Sequence, residues 1–369
     1  MSTVAIAAVE KSRGQYLHEA RALKLETREL AHLASDEIRI SIRSTTICGS
    51  DAHYYTHFRN GSIQVLEALC LGHEAAGQVV AVGSKVSQAG SNLKVGDAVA
   101  LECGVPCGAC VLCRSGRYNI CPELRFRSSA SKFPHFQGTL QEFVVHPARW
   151  VHILPPELNF EAGALLEPLA VAVHAVRRAG PDMISLRRAC LVFGAGAVGL
   201  LCAMAVRAEG CQDVVMVDID EGRLGFALKY GFASVVYAVK PKRGDTLEDK
   251  LRIARTIAKQ IGERKWPDGE SVGQVRRTFE CTGAESCLQS SIYVSNFQYN
   301  TYSHGLTIVS HRRLHPVGAL YLLAWVSPTI HCQSQSCQPG RSIWSPPGGT
   351  QMLTQELLKL QKHLFPGRP

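Results

Sequence analysis

Residues 189–210, ACLVFGAGAVGLLCAMAVRAEG, constrain the fold more than any other stretch of the chain. An apolar run of strand length leads directly into Gly194-Ala195-Gly196-Ala197-Val198-Gly199 and then into helical periodicity. In that setting the three glycines of G-x-G-x-x-G permit a tight turn, close backbone approach to a pyrophosphate, and tight helix–strand packing. The next apolar run, DVVMVDID, reaches Asp218 about 20 residues after the glycines, where a carboxylate accepts from the ribose hydroxyls of NAD and repels the extra phosphate of NADP. Arg223 joins Gly194, Gly196, Gly199 and Asp218 as a cofactor-binding candidate. Strands read at 234–237 and 278–281, with an amphipathic helix at 247–262 between them, continue the alternation of a doubly wound parallel α/β sheet.

Length sets the remaining frame. At 369 residues the chain has room for two domains, each with its own core. Short strands at 38–42 and 77–82 give the first half a β-rich character. A long apolar-periodic helix read over 161–179, ending in Arg177, Arg178 and Gly180, marks the join. The expected division is 1–165, 166–295, and a tail 296–369 with no sustained period except at 352–363.

Four cysteines, Cys107, Cys110, Cys113 and Cys121, are spaced C-x2-C-x2-C-x7-C in a stretch broken by Gly104, Pro106, Gly108, Gly116 and Pro122. That spacing closes a tetrahedral thiolate cage on one structural zinc. An iron–sulfur site uses the same ligands and stays open on spacing alone. A disulfide scaffold belongs to shorter secreted chains, and no signal-peptide pattern precedes this one. With 14 cysteines, the expectation is a cytoplasmic protein with metal ligands and buried thiols. The charge of +9 is scattered, without the basic stripe and interleaved aromatics of a nucleic-acid surface, and no apolar run of about 18 residues reads as a membrane span.

Upstream lie Cys48-Gly49-Ser50-Asp51, His53, and Gly72-His73-Glu74. A thiolate, an imidazole and a carboxylate from separate turns, with one position left for water or substrate, form the donor set of a catalytic zinc. GHEAAGQVVAVGSKV resembles the zinc signature of the medium-chain alcohol dehydrogenases. ICGSDAHYY, YNIC, GTLQEF, LEPLAVAVHA, VFGAGAVGLL and FECTGAES resemble more narrowly its fungal-type polyol branch, which includes sorbitol, xylitol and arabinitol dehydrogenases. The likeness spans residues 35–295.

The resemblance implies a GroES-like catalytic domain beside a Rossmann NAD-binding domain, with one catalytic and one structural zinc. Cys48, His73 and Glu74 match the catalytic ligands. Glu167 matches an acid that ligates the metal or holds its water, and the resemblance does not choose between the two glutamates. Asp51 matches the acid that orients the histidine, Ser50 and His53 a proton relay, and Tyr54 and Phe126 the lining of the substrate pocket. The implied reaction oxidises a secondary alcohol of a polyol to a ketose with hydride transfer to NAD. A secondary-alcohol dehydrogenase of biosynthetic metabolism is the neighbouring reading, and a catalytically impaired zinc- and NAD-binding paralogue is the third.

The third reading arises because the family's later strands, its dimer-forming strand and an active-site arginine are absent from the tail as written, although homo-oligomers are the family's habit. One base earlier, the codons allowed by residues 318–364 can spell CTLFVGMGKPNHTLPIPKLSTREVDM and WRYTNAYPRAIEVA, which resemble the missing segment. Val294-Ser295 permits an intron donor and residues 316–318 an acceptor. The expectation is that 294–317 translate a retained intron and 318–369 an out-of-frame exon, leaving an aberrant tail. Sequencing the spliced transcript tests this, and an mRNA that keeps the frame through Tyr293 with no intron removed rejects it.

Overall fold

Alternating burial along the strand Glu37–Thr46 starts the first unit, because Ile38 and Ile40 point inward and are fully buried. Burying each is worth about 1.5–3 kcal/mol. The computed structural model describes residues 10–87, 92–179, 189–275, 277–295, 306–311 and 322–324. It divides into two units, with Glu167 closing the first and Pro168 opening the second.

In the first unit five antiparallel strands stand in the order Phe143–Pro147, Glu37–Thr46, Glu74–Val82, Ala98–Leu101, Val151–Ile153. Ile38, Ile40, Val79, Val99, Leu101 and Val144 form its core. The strands expected at 38–42 and 77–82 are the paired centre of this sheet, with Ile38 opposite Val82 and Thr46 opposite Glu74. That register brings Cys48, just past one strand, beside His73 and Glu74 at the start of the other.

In the second unit Val235–Ala238, Asp213–Asp218, Ala189–Phe193, Arg277–Glu280 and Leu306–His311 run parallel, and Leu322–Ala324 adds antiparallel at the edge. The order is 3-2-1-4-5-6, which places the topological switch point beside the first strand. Two apolar layers cover the sheet, one around Val192, Ala203 and Val214, the other around Leu191, Phe193 and Ile261. The helix expected at 247–262 spans Leu247–Gly262, capped by Thr246 and burying Ala254, Ile257, Ala258 and Ile261 at helical spacing.

Two expectations need correction. The helix read over 161–179 is two helices, Phe160–Ala164 and Leu166–Arg178. Pro168 has no N–H to donate to the carbonyl of Ala164, and its ring crowds that carbonyl, so a continuous helix is blocked. The tail, for which the sequence suggests no strand, contributes Leu306–His311 and Leu322–Ala324 to the sheet. Leu306–His311 pairs in parallel with Arg277–Glu280, extending the sheet on that side. The helix read at 352–363, and most of the segment assigned to a retained intron and shifted exon, lie outside the described residues.

Candidate active site

Cys48, His73 and Glu74 each offer a ligand atom, and these atoms lie within 4.8 Å of one another. Two local devices bring them there. Cys48 caps the helix Gly49–His57, and its backbone N–H donates to Asp51 Oδ2 at 3.0 Å. Gly72 turns the chain at φ +88°, a conformation that favours glycine, and its N–H donates to Asp51 Oδ1 at 3.0 Å. One buried carboxylate therefore ties together the two turns that carry the ligands. The Thr46 hydroxyl donates to Glu74 Oε2 and fixes that side chain as well.

The electrostatics of the cluster follow from its burial. His73 is 1% exposed, and burial works against its charged form, yet the neighbouring Asp51 and Cys48 outweigh that and raise its pKa well above the ordinary value. Burial likewise opposes ionisation of Asp51, but His73 and the two backbone donors hold its carboxyl below the usual range. Glu167 goes the other way. Burial pushes it up to about 7, the attraction of His73 offsets part of this, and Glu74, Asp51 and Glu102 add to the rise. Its Oε2 is shielded from solvent and has no hydrogen-bond partner. A soft sulfur, an imidazole, a carboxylate and an orphaned carboxyl oxygen fit a zinc ion and its water. Ser50 and His53 share one face of the helix at i, i+3, with Ser50 Oγ 3.5 Å from His73 Nε2 and His53 half-buried.

In the cysteine lobe, Sγ–Sγ distances are 3.5 Å for Cys107–Cys121, 3.4 Å for Cys110–Cys113, and 3.9 Å for Cys107–Cys113 and Cys110–Cys121. Tetrahedral thiolates at a Zn–S distance of about 2.3 Å stand about 3.8 Å apart, whereas a disulfide needs about 2.05 Å. The four sulfurs lie close enough together to bind one ion, whereas a multi-iron cluster spreads its four thiolates over two or four irons. Backbone N–H groups of Cys110 and Cys113 point at the sulfurs of Cys107 and Cys110, each at 3.4 Å. Donation from Ala109 and Cys110 lowers the Cys107 thiol to about 6, which favours the thiolate.

In the second unit the three glycines do different work. Gly194 adopts φ +97° and donates its N–H to Val217 O at 2.7 Å. Gly196 caps the helix Ala197–Ala208 without a side-chain partner, and a Cβ there would meet only open space. Gly199 has no room, since its Cβ would sit 1.8 Å from Gly194 O. Asp218 accepts from Ala195 N–H at 2.6 Å and from Asp220 N–H at 2.9 Å, so it braces the loop while keeping further lone pairs. The uncapped N–H groups and open cradle fit a dinucleotide phosphate.

Residues 34–156 match the alcohol dehydrogenase GroES-like domain. The chain is 37% identical over 273 residues to D-xylulose reductase A of Aspergillus niger, covering 74% of this chain and 69% of that one. It is 35% identical to the sorbitol dehydrogenase of Arabidopsis thaliana, covering 77% and 71%. Among solved structures, L-idonate 5-dehydrogenase of Escherichia coli superposes with a TM-score of 0.62 at 25% identity, covering 78% of this chain and 73% of that one. An Escherichia coli oxidoreductase of unknown specificity also gives 0.62, at 30% identity and coverage of 77% and 74%. This chain belongs to the zinc medium-chain polyol dehydrogenases.

In the dehydrogenase, three further expected side chains are placed as follows. Tyr54, expected to line the substrate pocket, is 1% exposed in a cluster with Leu17, Val65, Leu69 and Leu71, and its hydroxyl accepts from Ala130 N–H. Phe126 is also buried, and its ring lies 5.2 Å from that of His73 in an edge contact. Arg223 is largely exposed and faces Asp220 at 3.8 Å, while its backbone N–H takes part in the Asp220 helix cap. Sequence reasoning missed Thr46 and Ser128, whose hydroxyls touch Glu74 and His73, because neither lies in a spaced motif. No helix among the described residues is long and apolar enough to cross a membrane.

The glycines give a direct test. Gly199→Ala forces a backbone overlap and is expected to cost about 1–3 kcal/mol or more of stability. Gly196→Ala is expected to leave the melting temperature unchanged and to weaken cofactor binding, because the added methyl enters the cradle. Thermal melts and a fluorescence titration with reduced cofactor separate the two effects.

Proposed function

We propose that this dehydrogenase interconverts a polyol and its ketose with NAD as hydride acceptor, and that it carries two zinc ions, one catalytic and one structural. The convergence of Cys48, His73 and Glu74, in the same unit as the orphaned oxygen of Glu167, carries the reading. These residues would hold the catalytic zinc, with Cys107, Cys110, Cys113 and Cys121 holding the structural one. When bound, the catalytic zinc supplies Lewis acidity that favours the alkoxide form of an alcohol at neutral pH.

The chain's own residues do the rest. Ser50, beside His73, is placed to accept the alcohol proton, and His53 on the same helix face passes it outward. Asp51 keeps the ligand-bearing turns at a fixed separation, so the donor set is preorganised. Gly194 and Gly196 shape the phosphate cradle, and the remaining lone pairs of Asp218 accept from ribose hydroxyls. The names of the Aspergillus and Arabidopsis relatives support a sugar-polyol substrate class.

Zinc-loaded enzyme, tested against a panel of pentitols and hexitols with NAD and with NADP, should reduce NAD in preference, read as absorbance of the reduced cofactor. Preference for NADP, or turnover undiminished after removal of all zinc, rejects the proposal. Asp218→Ala removes a charged acceptor worth about 1.5–3 kcal/mol, so KM for NAD should rise about 10- to 100-fold while the polyol KM holds.

A further inference from the structure

Asp51 does not provide the nearest acceptor for His73. Its Oδ1 lies 3.6 Å from His73 Nδ1, and both its oxygens already take backbone N–H groups at 3.0 Å. The Ser128 hydroxyl lies 2.7 Å from the same nitrogen. Ser128 is 2% exposed and adopts φ +59°, a left-handed conformation that a non-glycine residue takes only at a cost.

The surrounding segment holds that conformation. Ser128 donates its N–H to Phe136 O at 2.9 Å, and Arg127 donates its N–H to Cys103 O at 3.0 Å. The buried Arg127 guanidinium donates to His146 Nδ1, Gln137 O and Val145 O, and stacks 4.2 Å from the centre of the Phe136 ring. On the other side of Arg127, Phe126 presses its ring against the imidazole. Three consecutive residues thus act on one histidine: Phe126 by contact, Arg127 by clamping the backbone, Ser128 by hydrogen bond.

We infer that Ser128 is a positioning residue whose hydroxyl accepts the Nδ1 proton of His73, fixing the tautomer that leaves the Nε2 lone pair free to bind a metal. The inference rests on the metal-site reading of Cys48, His73 and Glu74. It divides between two residues a task that the resemblance gives to Asp51 alone: Asp51 spaces the ligand turns, and Ser128 orients the ring. Such partners of a ligating histidine typically change metal affinity by about 10- to 100-fold.

Backbone and hydroxyl can be tested separately. Ser128→Gly deletes the hydroxyl but suits the positive φ, so its fold should be at least as stable as wild type. Ser128→Thr keeps a hydroxyl while straining the backbone with a β-branched residue. Full-length chain stripped of metal and titrated with zinc against a competing chelator should show two classes of site, and cobalt(II) should report the single-thiolate site by its visible bands. In Ser128→Gly the affinity of that site is expected to fall about 10- to 100-fold with altered cobalt bands, the four-thiolate site unchanged. Ser128→Thr is expected to bind near wild-type strength despite a lower melting temperature.

Wild-type affinity and bands in Ser128→Gly overturn the assignment, as does equal weakening in both variants. A wild-type chain with only the four-thiolate class overturns the metal-site reading itself, so the two failures are distinguishable.

Discussion

Replacing His73 with alanine is expected to remove one of two bound zinc ions and to lower kcat/KM for a polyol by about 10³-fold or more, since Lewis-acid stabilisation is worth several kcal/mol and each 1.36 kcal/mol is a factor of ten. The loss follows from the geometry. Cys48, Glu74 and His73 meet within 4.8 Å, and removing the imidazole takes the nitrogen donor out of that set. Asp51 and Ser128 lose a buried partner at the same time, at 3.6 and 2.7 Å. Zinc analysis should fall from two to one per chain while the far-ultraviolet circular dichroism stays native. A variant that keeps both ions and substantial turnover sinks the assignment of His73.

Cys110→Ser is expected to have the opposite signature. It breaks the cage in which Cys110 Sγ approaches Cys113 at 3.4 Å and Cys121 at 3.9 Å, and releases the structural ion. Structural zinc sites contribute directly to folding free energy, and the end of this lobe is part of a core: Cys121, Leu124 and Phe126 pack with Val99, Leu101 and Val144. A loss of several kcal/mol at about 2–4 °C per kcal/mol should lower the melting temperature by about 10 °C or more. Cys103→Ala, a buried thiol outside the cage, should leave the zinc count unchanged. Calorimetry with metal analysis checks both, and a Cys110→Ser protein that melts like wild type rules out a structural role for the lobe.

These effects separate because the two sites are built differently, and the difference was visible in the sequence to different degrees. The cysteine lobe and the glycine turn were legible because their ligands or contacts fall within a few residues of one another, where chain geometry limits what a spacing can mean. Gly199 shows how strict that is, with no room for one methyl beside Gly194 O. For Tyr54 and Arg223 the motif position did not reveal the surroundings, a packed cluster with Leu17, Val65, Leu69 and Leu71 for the first and a facing Asp220 for the second. The long helix was misread because its apolar period masked the effect of Pro168, and the strand Leu306–His311 because a partner edge, rather than its own pattern, selects it.

The sequence alone determined the inventory: which residues are candidates to hold a metal, which turn carries the glycines of a dinucleotide motif, and the two fold classes that carry them, because each of these signals is local. Tertiary structure alone decided how the inventory is tuned. It gave Asp51 two turns to hold, stripped Glu167 of solvent until its carboxyl rose to about 7, and brought Ser128 across 55 residues to His73. Desolvation and long-range hydrogen bonds depend on what the folded chain places around a group, and no spacing along the chain encodes that.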